Sequence, residues 1–447
     1  MLFAILLTLF CPQEEEPDVE VTIHGYSRLE WVSRNGSLNE TSFWNPGGID
    51  PTSPFRKSDD FFSPMFGLTL GLKWKERINA FIELRNLQIK DDGAVPLQNE
   101  RLDTDSDIDL HFRQAYVSIE EWPIKNLEWS IGSRKIENRT DHPLFLSSGS
   151  ESPWEELPDS TVPPFPAAGS NTVPQTRRME LLMTGIHAHY TAQSWNASGW
   201  ILPELGGEKE ETKDESFYGA SWTKLFESAT LTLTAAWMGG GDSGRIWTVG
   251  AQGAMEKGSL TARLESFFQF GKVGGRDAQG IALRASLRAD LDPLWGSIEY
   301  LWVSGDEDGS DNKEGRFLSY EDNDTAPLVE GNEFGLDIDN NYSVFRISLG
   351  YLWKFSRNRN PIQLETRIHY FTLEHRVPLF PDPQFNISSR SRELGVEWDL
   401  HASYNLSEAI QLHAGVSALF ASEVLAQFTS EGEESAWLTT VGTSFRF

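Results

Sequence analysis

Residues 281–291 read IALRASLRADL, and their alternation of apolar and polar side chains predicts a β-strand with two unlike faces. Successive side chains of a strand point to opposite sides of the sheet. One face therefore carries Ile281, Leu283, Ala285, Leu287, Ala289 and Leu291, and the other carries Arg284, Ser286, Arg288 and Asp290. A slip of one residue would exchange the two faces and place both arginines on the apolar side.

The same alternation recurs along the chain and predicts about 18 strands. It is clearest in 259–270, 393–404 and 409–420. In the strand that includes FRQAYVSI (112–119), the apolar side chains change face near Gln114, which predicts a β-bulge. Tryptophans at predicted strand ends fit aromatic girdles at two membrane interfaces, although ordinary core aromatics remain an alternative. Examples are Trp74, Trp122, Trp295 and Trp353.

The connections between the predicted strands alternate between tight turns and long loops. The loops fall at 34–63, 89–106, 137–177, 204–215, 305–341, 375–390 and 422–433, with two shorter members at 239–245 and 272–277. The turns lie near 76, 121–126, 192, 227, 257, 292, 357 and 406. Short turns at one rim and long loops at the other are typical of an outer-membrane barrel, where they are periplasmic and extracellular respectively.

The predicted fold class is therefore all-β, a transmembrane antiparallel up-and-down β-barrel of the bacterial outer membrane, in contact with its lipid. A soluble secreted β-sandwich that binds sugar also alternates along its strands and remains the alternative fold. No stretch after the first dozen residues approaches the roughly 18 consecutive apolar residues of a membrane-spanning helix, which excludes a helical membrane protein. The mean hydropathy of -0.39 agrees with a barrel that keeps half of each strand in water.

The charge of the chain is strongly negative, with 38 Lys and Arg against 66 Asp and Glu. The formal net charge of -28 argues against a nucleic-acid partner, because phosphates would be repelled. The acidic residues gather between predicted strands, for example at 103–109, 208–215 and 304–315. An acidic outer rim is therefore expected.

The two ends of the chain carry targeting signals. Residues 1–13 begin with an apolar run and predict a signal peptide, atypical because the usual positive first region is missing, for which a truncated start is one explanation. Residues 20–447 then form a single barrel domain. Lipidation of Cys11 is disfavoured because Phe10 precedes it, and cleavage would leave no cysteine for a disulfide, a thiolate metal site or a nucleophile. The last strand ends in Phe447, which resembles the signal that the barrel-assembly machinery recognises.

The predicted inward faces carry charges of both signs. The basic candidates for lining the pore are Arg28, Lys73, Arg85, Arg113, Arg134, Arg263, Arg284, Arg288, Arg346 and Arg367. The acidic ones are Glu30, Glu83, Glu265, Glu299, Glu365, Glu393, Glu397 and Asp399. Two interpretations stay open: a selective basic pore for anions, or a structural network in which Glu and Asp neutralise the arginines across neighbouring strands.

Several segments resemble the alginate export family of outer-membrane porins, and the resemblance runs through most of the chain. The first is 107–119 together with 127–136, and it carries Gly132, Ser133, Arg134 and Lys135. The second is 298–320, with Ser304, Gly305, Asp306, Asp308 and Asp311. The third is 393–420, with Gly395, Glu397, Asp399 and Tyr404. The first departs from the family's Gly-Arg-Gln element by an inserted Ser and by Lys in place of Gln. The resemblance implies passive export of an acidic, alginate-like polysaccharide through an 18-stranded pore with a basic constriction. A general or small-anion porin without a polysaccharide role is the alternative.

Other chemistry has weaker signals. The acidic loop 305–324 could supply carboxylates for calcium, but its spacing is not that of an EF-hand. His401 and His413 lie on inward faces of adjacent strands, where two histidines without a third ligand favour lumen lining over a metal site. No grouping of Ser, His and acid predicts an enzyme. We expect no cofactor, and the Pro-rich loop 137–177 is the best candidate to fold into the pore.

Overall fold

The computed structural model describes residues 19–35, 58–75, 77–86, 110–134, 183–202, 216–240, 244–273, 275–306, 312–317, 341–355, 360–375, 392–422 and 435–446. These residues form strands β1 (Val19–Asn35), β2 (Ser58–Trp74), β3 (Ile78–Asn86), β4 (Leu110–Glu120), β5 (Leu127–Arg134), β6 (Met183–Thr191), β7 (Trp195–Leu202), β8 (Ser216–Leu225), β9 (Ala229–Gly240), β10 (Gly244–Lys257), β11 (Leu260–Val273), β12 (Arg276–Ala278), β13 (Ile281–Leu291), β14 (Leu294–Val303), β15 (Lys313–Glu314), β16 (Tyr342–Trp353), β17 (Ile362–Leu373), β18 (Glu393–Asn405), β19 (Ile410–Ala421) and β20 (Ser435–Arg446). Within this range no helix is long and apolar enough to cross a membrane. The predicted signal peptide at 1–13 and loop 137–177 lie outside the described residues.

The strands close into one antiparallel barrel. Each wall strand pairs with its neighbours along the chain, and β1 completes the ring by pairing with both β2 and β20. The sheet contains 20 strands, of which the short β12 and β15 pair in parallel with each other, so that 18 strands build the wall. The predicted all-β barrel of about 18 strands is confirmed, and closure gives each wall strand that the structure describes a partner on both sides.

The connections confirm the predicted asymmetry of the two rims. Eight connections at one rim are short, from two residues at 258–259 to eight at 354–361. At the opposite rim the connections include 36–57, 87–109 and 135–182, whereas 241–243 is the shortest. The rim of short turns is the periplasmic one, and the rim of long loops is extracellular.

The two faces of the wall differ as the sequence predicts. In β13, Ile281, Leu287 and Leu291 are 36, 43 and 63 % exposed, whereas Ala282 on the other face is fully buried. Large apolar side chains are exposed in the same way on the outside of the other wall strands, for example Ile298, Ile347, Ile368, Leu400 and Val441. A continuous apolar outside is stable only against lipid, so the barrel spans a membrane.

Two bulges change the face of a strand. Between β3 and β4 the register shifts after Glu83, which pairs with Gln114, to Leu84, which pairs with Phe112. Arg113 is the extra residue, and the predicted bulge beside Gln114 is confirmed. A second register shift lies in the pairing of β17 with β18, between Phe371 and Thr372 of β17. Gly395 of β18, at this point, has a φ of 145°.

The second bulge corrects the predicted placement of Glu393. Leu394 is fully buried, whereas Glu393 is exposed and accepts a hydrogen bond of 2.8 Å from the hydroxyl of Tyr370, which is itself exposed on the outer face. Glu393 therefore does not point inward, because the bulge at Gly395 reverses the alternation before it.

The girdle prediction is wrong for Trp295. Trp122 and Trp353 are 63 and 47 % exposed beside periplasmic turns, as an interfacial position requires. Trp295 instead lies on the inner face, where its ring covers Gly350 so closely that a Cβ there would be 2.0 Å from it. Its indole belongs to the inner wall.

Candidate functional site

Five inward side chains from five adjacent wall strands form a connected group, the inner-wall cluster. Its members are Arg284 of β13, Glu299 of β14, Arg346 of β16, His369 of β17 and Asp399 of β18. Each lies between two outward apolar or aromatic neighbours in its own strand, so the alternation that places those neighbours in lipid turns these polar groups inward.

Glu299 lies at the centre of the cluster and holds two guanidinium groups. Arg284 donates hydrogen bonds of 2.8 and 2.6 Å from Nε and Nη2 to Oε2 of Glu299. Arg346 donates from Nη1 to the other carboxylate oxygen, Oε1. Two positive groups therefore share one carboxylate, and charge-assisted bonds of this kind fix all three side chains.

His369 continues the cluster and is fully buried. Arg346 Nε donates a hydrogen bond of 3.1 Å to Nδ1 of His369. Because a guanidinium can only donate, Nδ1 is the accepting nitrogen, and the neutral ring carries its proton on Nε2. Nε2 lies 2.9 Å from Asp399 Oδ2, a close polar contact whose direction does not meet hydrogen-bond geometry. The imidazole also stacks on Phe371, with ring centroids 5.9 Å apart.

The cluster marks a change in the inner wall along the barrel axis. On its periplasmic side, Arg288 pairs with Asp290 at 2.9 Å, and the two side chains are 46 and 51 % exposed. On its extracellular side lies an apolar layer that includes Leu301, Val344 and Phe371, none of them more than 1 % exposed. The exposure of inward side chains therefore falls from the periplasmic side of the cluster to its extracellular side.

The structure brings only some of the predicted pore-lining residues together. Arg284, Arg346 and Asp399 meet in the cluster, Arg367 pairs with Glu365, and Glu397 lies directly opposite His369 in the register and is fully buried. Glu265 lies directly opposite Arg284 in the register of β11 and β13 and is buried, whereas Arg28, Lys73 and Arg263 lie elsewhere on the inner wall. Arg85, Arg113 and Arg134 belong to described strands, but their side chains, like that of Glu30, lie outside the described residues.

The geometry fits the structural-network interpretation of these charges. Arg284, Arg288, Arg346 and Arg367 each have a carboxylate within ion-pair distance. Exposure is nevertheless unequal within a pair, since Arg367 is 33 % exposed and Glu365 is 12 % exposed. Glu299 has the inward orientation that the sequence predicts, whereas His369 was not among the predicted residues. The signal for His369 was its position between Ile368 and Tyr370, which both point outward.

A second polar group, the loop cluster, lies at the extracellular end. It consists of Arg276, Asp306, Glu314 and Arg316. Glu314 is 3 % exposed and binds Arg316 Nη2 at 2.9 Å, while Arg276 lies 3.3 Å from Asp306 and 3.6 Å from Glu314. Burial, and then the charge of Glu314, raise the pKa of Asp306. Burial lowers the pKa of Arg316, but the Glu314 carboxylate outweighs this effect, so that the pKa of Arg316 is raised.

The loop cluster occupies part of the predicted calcium loop. Its Asp306 faces an arginine, and Asp308 and Asp311 lie outside the described residues. Among the residues that the structure describes, no group of three or more His, Cys, Asp or Glu is arranged to hold a metal ion. The calcium and His401–His413 hypotheses therefore gain no support from this part of the chain.

No family profile matches the sequence, and no curated protein matches it significantly. Solved structures do match the fold. Pseudomonas aeruginosa OccK9 (OpdG) aligns with a TM-score of 0.57 at 12 % identity, over 96 % of this chain and 98 % of that one. The fold is that of the OprD and Occ barrels. The outer membrane protein OprD from the same species aligns at 0.52 and 12 % identity, over 96 and 94 % of the two chains. Pseudomonas aeruginosa OpdK, solved with vanillate, aligns at 0.55 and 11 % identity, over 95 and 98 %.

The shared fold and the apolar outside place the chain in the bacterial outer membrane, where closed barrels of this architecture occur. Identities of 11 to 12 % carry the fold and nothing of the solute. The resemblance to the alginate export family is not confirmed by these comparisons.

Proposed function

We propose that the protein is a passive outer-membrane channel for small anionic solutes. The observation that carries the proposal is the sharing of Glu299 by Arg284 and Arg346 on the inner wall. At this level two guanidinium groups contact one carboxylate, and such groups recognise carboxylates through several fixed donors.

Arg367 supports the same proposal from the water-accessible side. The fractional exposure of its side chain is almost three times that of its partner Glu365. A solute that enters from the periplasmic half of the wall would meet the positive partner of this pair first. Fixed charges along a pore raise the local concentration of counter-ions without any need for tight binding.

Export of an acidic polysaccharide remains the second candidate and rests on the family resemblance alone. The Ser304–Gly305–Asp306 motif that carries part of that resemblance is folded, with the Ser304 hydroxyl donating to Gly315 O at 2.7 Å. This role is local to the loop. The passage of a small anion requires only the charged side chains of the inner wall, so the small-anion function is preferred.

Uptake into proteoliposomes tests the proposal. We expect small organic anions to enter faster than a neutral sugar of similar size, and Arg367→Gln to reduce the anion rate severalfold without changing the sugar rate. Lys354→Gln is the matched control, because Lys354 is an exposed cation at the periplasmic turn, paired with Asp292, and does not line the wall. Equal anion rates in Arg367→Gln and wild type would contradict the proposal. Passage of an oligouronate at the rate of small anions would favour polysaccharide export instead.

A further inference from the structure

The outer face of β8 to β11 carries a continuous row of aromatic side chains near the extracellular rim. Tyr218, Trp237, Trp247 and Phe270 are register partners in succession across the four strands. Trp247 and Phe270 are 47 and 41 % exposed, and Tyr218 stacks on Trp237 with centroids 5.2 Å apart. Aromatic side chains on the outside of a barrel mark the boundary between hydrocarbon and headgroups.

Two cations lie immediately beyond this row. Arg245 and Lys272 are two residues further along β10 and β11 in the extracellular direction, which is about 7 Å along the strand. Both are exposed, and both share the outward parity of Trp247 and Phe270. They therefore stand at the level of the lipid headgroups in the outer leaflet.

Arg245 and Lys272 are directly opposite each other in the register of β10 and β11. Like charges in this arrangement repel and destabilise the pair unless an anion neutralises them. Within the described part of the chain neither forms a hydrogen bond or an ion pair, not even with Asp277, which lies opposite Lys272 on β12. An anion from outside these residues would relieve the repulsion.

The backbone beneath the two cations is held closely. Gly271 has a φ of 137°, and a Cβ there would lie 2.0 Å from the carbonyl oxygen of Arg245. Glycine permits this approach where any other residue would be strained. The two cations are thus presented by paired strands and not by a loop, so their spacing is fixed before a ligand arrives.

We propose that Arg245 and Lys272 bind a phosphate group of a phosphorylated lipid in the outer leaflet. A guanidinium and an ammonium side by side match the several oxygens of a phosphate monoester, and the aromatic row below them packs on the acyl chains of the same lipid. The site would anchor this sector of the barrel at a set depth. It does not depend on the channel function proposed above.

Native mass spectrometry of the full chain in detergent, titrated with bisphosphorylated lipid A, tests the proposal. We expect the double variant Arg245→Gln/Lys272→Gln to weaken lipid A binding roughly 30-fold, which is the loss of two cations near a headgroup layer. Lys257→Gln is the matched control, because Lys257 shares the outward parity of Arg245 on β10 but lies at the periplasmic end. Lipid A stripped of its phosphates should bind wild type as weakly as the double variant binds intact lipid A.

Three results would overturn the proposal. The first is unchanged lipid A binding in the double variant, and the second is an equal loss in Lys257→Gln. The third is equally tight binding of inorganic phosphate and lipid A to the wild-type protein, which would mean that Arg245 and Lys272 bind free phosphate. Heat-modifiable migration on a denaturing gel confirms that each variant is folded, and the two single variants replace the double one if it is not.

Discussion

Glu299 is the residue on which the inner-wall cluster depends, because Arg284 and Arg346 both form an ion pair with its carboxylate. Its side chain is 13 % exposed, so replacement by Gln would leave two guanidinium groups beside each other with little water to screen them. Loss of one partner from a buried ion pair costs about 3–5 kcal/mol. We expect Glu299→Gln to lower the urea midpoint of the detergent-solubilised barrel and to raise its preference for anions over cations.

Asp290→Asn is the control for this prediction. Asp290 and its partner Arg288 are both about half exposed, and exposed pairs contribute at most about 1 kcal/mol. Equal urea midpoints for the two variants would show that Glu299 is not the centre of the cluster.

His369 is expected to position Arg346 by accepting a hydrogen bond. His369→Phe keeps a ring of similar size for the contact with Phe371 but leaves Arg346 Nε without its acceptor. A buried donor without a partner costs about 1–3 kcal/mol. His369→Gln restores an acceptor, so its urea midpoint should lie closer to wild type than that of His369→Phe; the opposite order would contradict this role.

The inward placement of these residues could be predicted from the sequence, but their pairing could not. Alternation around Arg284 and Arg346 fixes the face of each strand, because the apolar neighbours have the opposite parity. Glu299 and Arg346, by contrast, are joined through a connection of 38 residues, 304–341, and alternation does not fix the register across it. The ion pairs follow from that register.

At the scale of the strand, Gly395 is the position that decides which side chains of β18 point inward. Its φ of 145° is open to glycine, and a Cβ would lie 2.4 Å from the carbonyl oxygen of Phe420. We expect Gly395→Ala to destabilise the barrel by about 1–3 kcal/mol. Gly253→Ala in β10 is the control, since a Cβ there meets nothing closer than 3.8 Å. Equal urea midpoints would contradict the strain.

The two bulges show what alternation can and cannot predict. Around Gln114 the apolar residues change parity, from Phe112 to Ala115 and Val117, so the bulge is visible in the sequence. In β18, Leu394 and Val396 are both apolar and have the same parity, so alternation continues across the bulge and misplaces Glu393. The glycine inside the strand was the remaining signal.

The loop cluster gives a prediction about charge at the extracellular rim. The raised pKa of Asp306 means that the folded loop disfavours the charged carboxylate. The protonated carboxyl group therefore contributes to stability at low pH, and this contribution is lost as pH rises through the raised pKa. Asp306→Asn mimics the protonated form and should leave the loop intact at pH 7. Glu314→Gln removes the partner of Arg316 and should loosen it.

Hydrogen exchange of the amides at 312–317 measures the difference between these two variants. We expect exchange close to wild type in Asp306→Asn and faster exchange in Glu314→Gln. Faster exchange in Asp306→Asn than in Glu314→Gln would mean that the Arg276–Asp306 pair, and not Glu314, holds the loop.

For the whole molecule, the alternation of connection lengths was the most informative feature of the sequence. It separates a membrane barrel from a soluble sandwich because only the barrel has two rims in different compartments. The net charge of -28 carried less information, since it merges acidic connections with an inner wall whose charges are largely paired. The solute could not be predicted, because alternation gives the parity of a charge but not the partner that neutralises it.

Planar-bilayer recording of the purified, folded protein tests the channel proposal most directly. In a salt gradient, we expect stepwise ohmic conductance and a reversal potential whose sign indicates selectivity for anions. The Glu299→Gln variant should show a larger reversal potential of the same sign. A heat-modifiable, folded barrel that gives no conductance, or one that prefers cations, would contradict a passive channel for small anions.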